Sequence, residues 1–267
     1  MKRRNPNVDP GLLIKDAAKL LPNPARRLFL RNTASLGALV LLTGCDIVDG
    51  PTSERALRVV SQFNDWVQAR LFNPDRLAET YPESAIKTPF PFNAYYSEQE
   101  APDVDEDNYK LVLDGLIDSK QPWTLDQLYA LPQQTQITRL ICVEGWSAIG
   151  KWTGVPLGDL MHKVEPLPQA QYAVFHCADV DYQGTPYYES MALQDLFHPQ
   201  TILAYELNGR PLDVPHGAPL RLRFERQLGY KHAKYVTRIE LVESLTGIGG
   251  GKGGYWEDQG YEWYAGI

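Results

Sequence analysis

The chain has 267 residues, 43% hydrophobic and 22% charged, with 26 Lys and Arg against 33 Asp and Glu for a formal net charge of −7. Those values exclude a disordered chain and a coiled coil, and three cysteines exclude a dense disulfide framework. The charge is unevenly spread: residues 1–44 hold eight basic and two acidic side chains, whereas residues 45–267 hold 18 and 31, a net of −13 that argues against nucleic acid as a partner.

The basic excess at the start reads as a targeting segment. Arg26-Arg27-Leu28-Phe29-Leu30-Arg31 precedes an apolar run from Leu36 that ends at Leu42-Thr43-Gly44-Cys45, too short to span a bilayer. The arginine pair followed by Phe and Leu resembles a twin-arginine export signal. The last four residues resemble a bacterial lipoprotein box with Cys45 as lipid acceptor, which would tie a periplasmic protein to the membrane. The competing readings are a basic amphipathic helix capping the domain and a signal cut elsewhere without lipidation. Twin-arginine export carries folded proteins, so a redox cofactor inserted before export is expected.

Next, Leu57, Val60, Phe63, Val67 and Leu71 recur at helical spacing, predicting an amphipathic helix over 54–72. Prolines 74, 82, 89 and 91 mark 73–92 as extended linker. Strands are expected over 109–117, 138–143, 172–177, 201–205, 220–224 and 236–242. Thr124 is placed to cap a short helix through Leu131, and a second helix is expected to begin at Gly154. Short strands dominate and no βαβ repeat is present, so the fold class is α+β with a β-rich core. The boundaries fall at 1–44 for the signal, 45–89 for the helix and linker, and 90–267 for the main domain.

Cys142 ends a predicted strand, ahead of a loop expected to hold Gly145, Trp146 and Trp152. Taken alone it is a buried structural cysteine, a nucleophile or a soft metal ligand. A thiol enzyme would need a base, and His176 and His216 are the candidates. The absence of Cys-x-x-Cys and Cys-x-x-Cys-His argues against zinc and c-type haem. Arg139 either faces substrate or pairs with a carboxylate. The glycine run 247–254 lacks phosphate-loop spacing and reads as a flexible loop, and the aromatic tail 255–264 as a packed tail or an active-site wall.

Cys142-Val143-Glu144-Gly145-Trp146-Ser147 is similar to the ligand segment of the sulfite oxidase superfamily, on the side of the periplasmic methionine sulfoxide reductase catalytic subunits. Sulfite oxidases proper carry Gly-Asn and arginines there, which this chain lacks. The resemblance implies a β-rich sulfite-oxidase-type molybdopterin-binding fold with molybdenum-molybdopterin as cofactor and Cys142 as thiolate ligand to molybdenum. Matching segments in family order place Asn93, Tyr96, Ser97, Cys177, His216, Arg221, His232 and Lys234 at cofactor-binding positions. Arg221 and Lys234 would offset the terminal phosphate, while Asn93, His216 and His232 would donate to the pterin or phosphate. Ser97 replaces a Glu and Cys177 a Thr of the family pattern, which weakens those two contacts. The implied reaction is two-electron oxygen-atom transfer, favoured as reduction of an S-oxide or N-oxide on a small molecule or protein, with sulfite-type oxidation or a non-catalytic lipoprotein of the same fold as alternatives. With no haem motif, electrons would pass through a separate partner, a membrane b-haem subunit or a soluble cytochrome.

Overall fold

The computed structural model describes residues 76–267. The signal region, Cys45 and the helical pattern over 54–72 lie outside the described residues.

The first sheet is built from β1 (Lys110–Gly115), β2 (Trp123–Thr124), β5 (Tyr172–Val180), β6 (Pro186–Ala192) and β10 (Val236–Val242), in the order β2-β1-β10-β5-β6. Its alternating residues bury one face, as β1 shows with Leu111 and Leu113 inside and Lys110 and Val112 outside. β1 and β10 run parallel and the other pairs antiparallel, so the sheet is mixed.

The second sheet contains β3 (Gln134–Ile141), β4 (Ser147–Pro156), β7 (Thr201–Leu207), β8 (Arg210–Pro211) and β9 (Arg221–Phe224), in the order β3-β4-β7-β8 with β9 on β7. Leu111, Phe175 and Ile239 of the first sheet share one buried cluster with Val155, Leu203 and Leu222 of the second. A smaller cluster lies around Trp152, with Phe90, Leu140 and Ile202.

Short helices close the connections. In α1 (Leu125–Tyr129), Thr124 accepts from the Gln127 amide while the Gln127 side chain returns to the Thr124 amide, a reciprocal cap. α2 (Leu157–Val164) buries Leu157, Leu160, Met161 and Val164. α3 (Leu193–Leu196) and α4 (Tyr255–Asp258) are single turns.

Two expectations change. The helix expected from Gly154 starts at Leu157, and Trp152 lies in β4 rather than in a loop. β4 pairs on both sides, with β3 and β7, which holds its backbone extended as far as Pro156. Gly154 is required there: a Cβ would sit 2.1 Å from the Leu203 carbonyl oxygen. β6 gave no clear sequence signal because Glu189 and Ser190 are both buried, which breaks the alternation of apolar and polar residues.

The proline-rich stretch is extended and lies along β3 and β4. The Tyr81 amide donates to Ile137 O at 3.0 Å and the Lys87 amide to Ile149 O at 2.8 Å. The glycine run is pinned rather than loose, since Asp258 accepts from the Gly250 amide at 2.6 Å and the Lys252 amide at 3.1 Å.

Candidate active site

β3 and β4 form a hairpin in unbroken register from Gln134↔Gly154 to Ile141↔Ser147. The Cys142 amide closes it on Trp146 O at 2.9 Å, and the Gly145 amide turns back to Cys142 O at 3.1 Å. Gly145 takes φ +90°, a conformation this short loop reserves for glycine. The hairpin therefore sets the Cys142 side chain at its tip, buried and outside any disulfide. Burial, helped by Glu144, raises its pKa, whereas the amides of Glu144 and Val143 favour the thiolate. Cys142 Sγ lies 3.7 Å from Glu144 Oε2 and 3.9 Å from Asn93 Oδ1. Trp146 Nε1 fixes Glu144 by donating to Oε2 at 3.0 Å.

Cys142 opens into a cleft of 160 Å³ that brings together five expected site residues: Asn93, Cys142, Arg221, His232 and Lys234. Arg221 and Lys234 are buried cations. Arg221 Nη1 donates to His216 O at 2.9 Å, its guanidinium lies 4.8 Å from the Trp152 ring centre, and its Nε has no partner among the described residues. Burial and neighbouring Arg223 hold its pKa below the usual arginine range. Lys234 Nζ donates to Pro215 O at 3.2 Å amid the rings of Phe92, Tyr96 and Tyr235. Burial and Arg221 lower its pKa. Two like charges held this close, short of partners, form a site that an anion stabilises.

The expected role of His232 changes. Nε2 donates to Gln227 O at 3.0 Å, and burial with Arg223 and Arg221 pushes the pKa well below the usual histidine value, so the ring is neutral. Nδ1, without a partner among the described residues, is then open to accept a hydrogen bond.

The other expected residues sit behind or beside the cleft. Tyr96 donates through its hydroxyl to Asp179 Oδ2 at 3.1 Å. His216 spends Nδ1 on Asp213 at 2.5 Å and Nε2 on Phe90 O at 3.1 Å, so its ring is occupied and its carbonyl holds Arg221. Cys177 is a core residue whose thiol stays protonated, its pKa driven well up by burial and then by Asp179. Ser97 is exposed and closes a capping box with Glu100, away from the cleft lining. Neither base proposed for a thiol enzyme faces Cys142: His176 is tied to Glu240 and Arg238 on the sheet, and His216 to Asp213. Arg139 lies over the Tyr81 ring and lines a separate cavity.

Aromatic side chains complete the cleft wall: Tyr95, Tyr187, Tyr230, Trp256 and Tyr261. Tyr95 stacks on Tyr187 and Tyr255 at ring-centre distances of 5.9 and 5.3 Å, and Trp256 stacks on Tyr261 at 5.2 Å. The aromatic density of the tail announced this wall. Asp179, also in the lining, carried a quieter signal, a carboxylate one strand period after Cys177.

A buried thiol, two cations short of partners and open acceptors around one cleft form a donor set suited to a soft-ligated metal on an anionic organic carrier. The family model for the oxidoreductase molybdopterin binding domain matches residues 98–246, and the chain belongs to this family of molybdopterin-binding oxidoreductases. It is 47% identical over 252 residues, 94% of this chain and 92% of the relative, to a putative protein-methionine-sulfoxide reductase subunit YedZ1 of Azospira oryzae. It is 37% identical over 132 residues, 46% of this chain and 41% of the relative, to the protein-methionine-sulfoxide reductase catalytic subunit MsrP of Xanthomonas axonopodis pv. citri. Among solved structures, the sulfane dehydrogenase SoxCD of Paracoccus pantotrophus aligns with a TM-score of 0.49 at 21% identity, covering 54% of this chain and 40% of that one. The protein is thus a molybdopterin enzyme of the sulfite oxidase superfamily, similar to methionine sulfoxide reductase subunits.

Proposed function

We propose that this chain is the catalytic subunit of an exported reductase that removes oxygen from S-oxides carried on protein, methionine sulfoxide foremost. The S-oxide, two electrons and two protons give thioether and water. The observation that carries the reading is the convergence of Cys142 with Arg221 and Lys234 on one cleft. When bound, the molybdenum-molybdopterin group supplies the oxygen-atom transfer.

The chain's own residues hold that group and select the substrate. Cys142 would ligate molybdenum through Sγ, its thiolate favoured by the two loop amides. Arg221 and Lys234 would hold the phosphate, and Asn93 would stand beside the metal ligand. His232 would accept from the cofactor through Nδ1. Tyr96, Cys177 and His216 support these groups from behind, whereas Ser97 contributes through the local turn.

Glu144 supports the direction of reaction. A carboxylate 3.7 Å from the ligating sulfur disfavours an anionic substrate such as sulfite and leaves a neutral S-oxide admissible. The aromatic wall suits a methionine side chain, because sulfur contacts with ring edges are favourable. Tyr182 stands 93% exposed on the turn after β5, the strand that carries Asp179 into the cleft, and offers apolar surface to a polypeptide.

Electrons would come from a separate subunit, a membrane b-haem protein or a soluble cytochrome. Among the described residues no helix is long and apolar enough to cross a membrane. The twin-arginine pattern and Cys45 support periplasmic export and a lipid anchor, with 1–44 as signal, 45–89 as helix and linker and 90–267 as the main domain.

The test is metal analysis of protein exported by its native host, wild type beside Cys142→Ala, followed by turnover with a methionine-sulfoxide peptide and with sulfite. Stoichiometric molybdenum, a changed Mo(V) spin signal in the variant and turnover of the peptide alone are expected. Folded wild-type protein without molybdenum refutes the cofactor assignment, and turnover of sulfite alone refutes the direction. Fatty-acid labelling that disappears in Cys45→Ala checks the anchor.

A further inference from the structure

The cavity that Arg139 lines takes no part in the site described above. It measures 300 Å³, and Arg76, Arg139 and Arg226 line it among aromatic and aliphatic side chains, with no lysine. Three of the seven arginines of residues 76–267 thus meet at one opening, on a chain whose residues 45–267 carry a net charge of −13. Glu225 is already engaged, forking onto Arg223 and accepting from Gln136, and Arg226 donates to Asp195 at 2.6 Å. Glu79 accepts from the Tyr81 hydroxyl at 2.7 Å. Arg76 and Arg139 are exposed, and among the described residues neither has an ion pair or a side-chain hydrogen bond; Arg139 only covers the Tyr81 ring at 4.9 Å. Two uncommitted arginines therefore outnumber the one carboxylate beside them.

The position of this opening gives it a use. Ile141 lines it, and the next residue, Cys142, lines the cleft. Side chains alternate along β3, so the two openings lie on opposite faces of one strand whose consecutive Cα atoms are about 3.8 Å apart. A redox group seated here is one strand's thickness from the residue proposed to ligate molybdenum. A protein substrate covers the mouth of the cleft while its S-oxide is inside, and a carrier on the far face of β3 is out of its way.

The lining selects the carrier. Guanidinium groups without partners bind carboxylates, and Leu77, 56% exposed, joins Ile141 and Tyr264 to cover an apolar edge. Haem b offers both, two propionates on one edge of an apolar ring. Arginine and tyrosine without lysine is also the composition of protein interface centres. The described residues begin at Arg76, on this rim, so a chain held through Cys45 enters its main domain at this face, which favours a membrane-bound carrier over a soluble one.

We propose that this cavity is the docking site of the electron-donating subunit, a membrane b-haem protein that sets the propionate edge of its haem against Arg76 and Arg139. The proposal rests on the reductase reading above. For each S-oxide two ferrous haems become ferric, and their two electrons with two protons give thioether and water.

The test uses the molybdenum-loaded full chain, wild type beside two double variants, Arg76→Glu with Arg139→Glu and the milder Arg76→Gln with Arg139→Gln. Two donors drive reduction of a methionine-sulfoxide peptide. One is reduced methyl viologen, a small dye that needs no docking site. The other is washed membrane vesicles of the native host, their b-haem reduced with limiting dithionite and its reoxidation followed by absorbance. The glutamate pair is expected to slow haem reoxidation about ten- to a hundredfold and the glutamine pair less, with viologen turnover and the KM for peptide unchanged. Added salt is expected to slow the wild type toward the rate of the glutamine pair.

Haem reoxidation at the wild-type rate by both double variants overturns the proposal. So does an equal loss with viologen, accompanied by a lower melting temperature, since the arginines then serve the fold. A wild type that takes electrons from viologen but not from the membranes overturns the choice of partner. A dimer in sedimentation that the glutamate pair abolishes overturns it too, by giving this face to a second copy of the chain. If wild-type protein with viologen reduces no peptide, the reductase reading itself fails. If it does, and the variants still match it on membranes, that reading stands and only the docking assignment falls.

Discussion

Strand β9 carries two arginines, Arg221 and Arg223, both close to the Trp152 ring, yet their surroundings differ. Arg223 is fully buried and forks onto Glu225, Nε to Oε1 at 2.9 Å and Nη2 to Oε2 at 2.7 Å. Among the described residues, Arg221 has only a backbone carbonyl as hydrogen-bond partner, and its Nε is bare. The same contrast recurs farther along. Lys231 is gripped by Glu189 at 2.5 Å and Glu257 at 2.6 Å, whereas Lys234 has one carbonyl and three aromatic rings. Burial alone does not mark a binding residue, since all four are buried. The distinction is whether a carboxylate sits on the cation: Arg223 and Lys231, the framework pair, each hydrogen-bond carboxylates, whereas among the described residues neither Arg221 nor Lys234 does, Asp179 attracting Lys234 only from across the cleft.

That contrast breaks first if stability does not follow it. Lys231→Met leaves Glu189 and Glu257 buried without their cation and should cost about 3–5 kcal/mol in chemical denaturation. Lys234→Met, which strands no tightly paired anion, should change the stability of cofactor-free protein by less than about 1 kcal/mol. Equal losses from the two would end the distinction.

Cofactor retention should show the reverse order. Arg221→Met is expected to lower molybdopterin content about ten- to a hundredfold while leaving the fold intact by circular dichroism. Retention of the cofactor in that variant would make Arg221 a second framework arginine.

A smaller effect tests the charge state of the framework. Burial pushes the Glu189 carboxyl upward against the pull of Lys231, so protonation there is more favourable in the folded protein than in the unfolded chain, whose carboxyl titrates at about pH 4.5. Its contribution to stability is full below that value and declines as pH rises toward the folded pKa. Glu189→Gln should remove that decline, so its denaturation midpoint should fall less than the wild type's between about pH 5 and about pH 8. The smallest effect concerns the wall: Trp256→Ala should raise KM for a sulfoxide peptide a few-fold with little change in kcat, as one aromatic contact is worth about 0.5–1.5 kcal/mol.

Much of this was legible in the sequence, and the limits have physical causes. β10 falls where its alternation puts it, and Thr124 caps the helix its position foretells. The first strand of the hairpin and Gly145 at its turn were legible, but β4 was not: residues 146–152 read as loop because Gly150 and the polar Ser147, Lys151 and Thr153 break its apolar run. Arg221 and Arg223, by contrast, look alike as letters: their alternation suits a solvated strand face, and only Glu225, close in sequence and folded against one of them, separates their roles. His232 could not be read as an acceptor before the Gln227 carbonyl was seen to claim its other nitrogen. Asp179 was overlooked because it continues the inward face of Ala173, Phe175 and Cys177, where a strand is expected to carry apolar core rather than a carboxylate lining a cleft.

Lys231 has a consequence of another kind. It stands three residues before Lys234 and one before His232, and its two carboxylate partners come from β6 and from α4, the turn that carries Tyr255 and Trp256. One side chain therefore bolts the aromatic wall to the segment bearing two of the cradle groups, and acts as a gauge block for the gap between them. Any insertion between 231 and 234, or any lengthening of α4, would reset that gap without touching a residue that meets the cofactor.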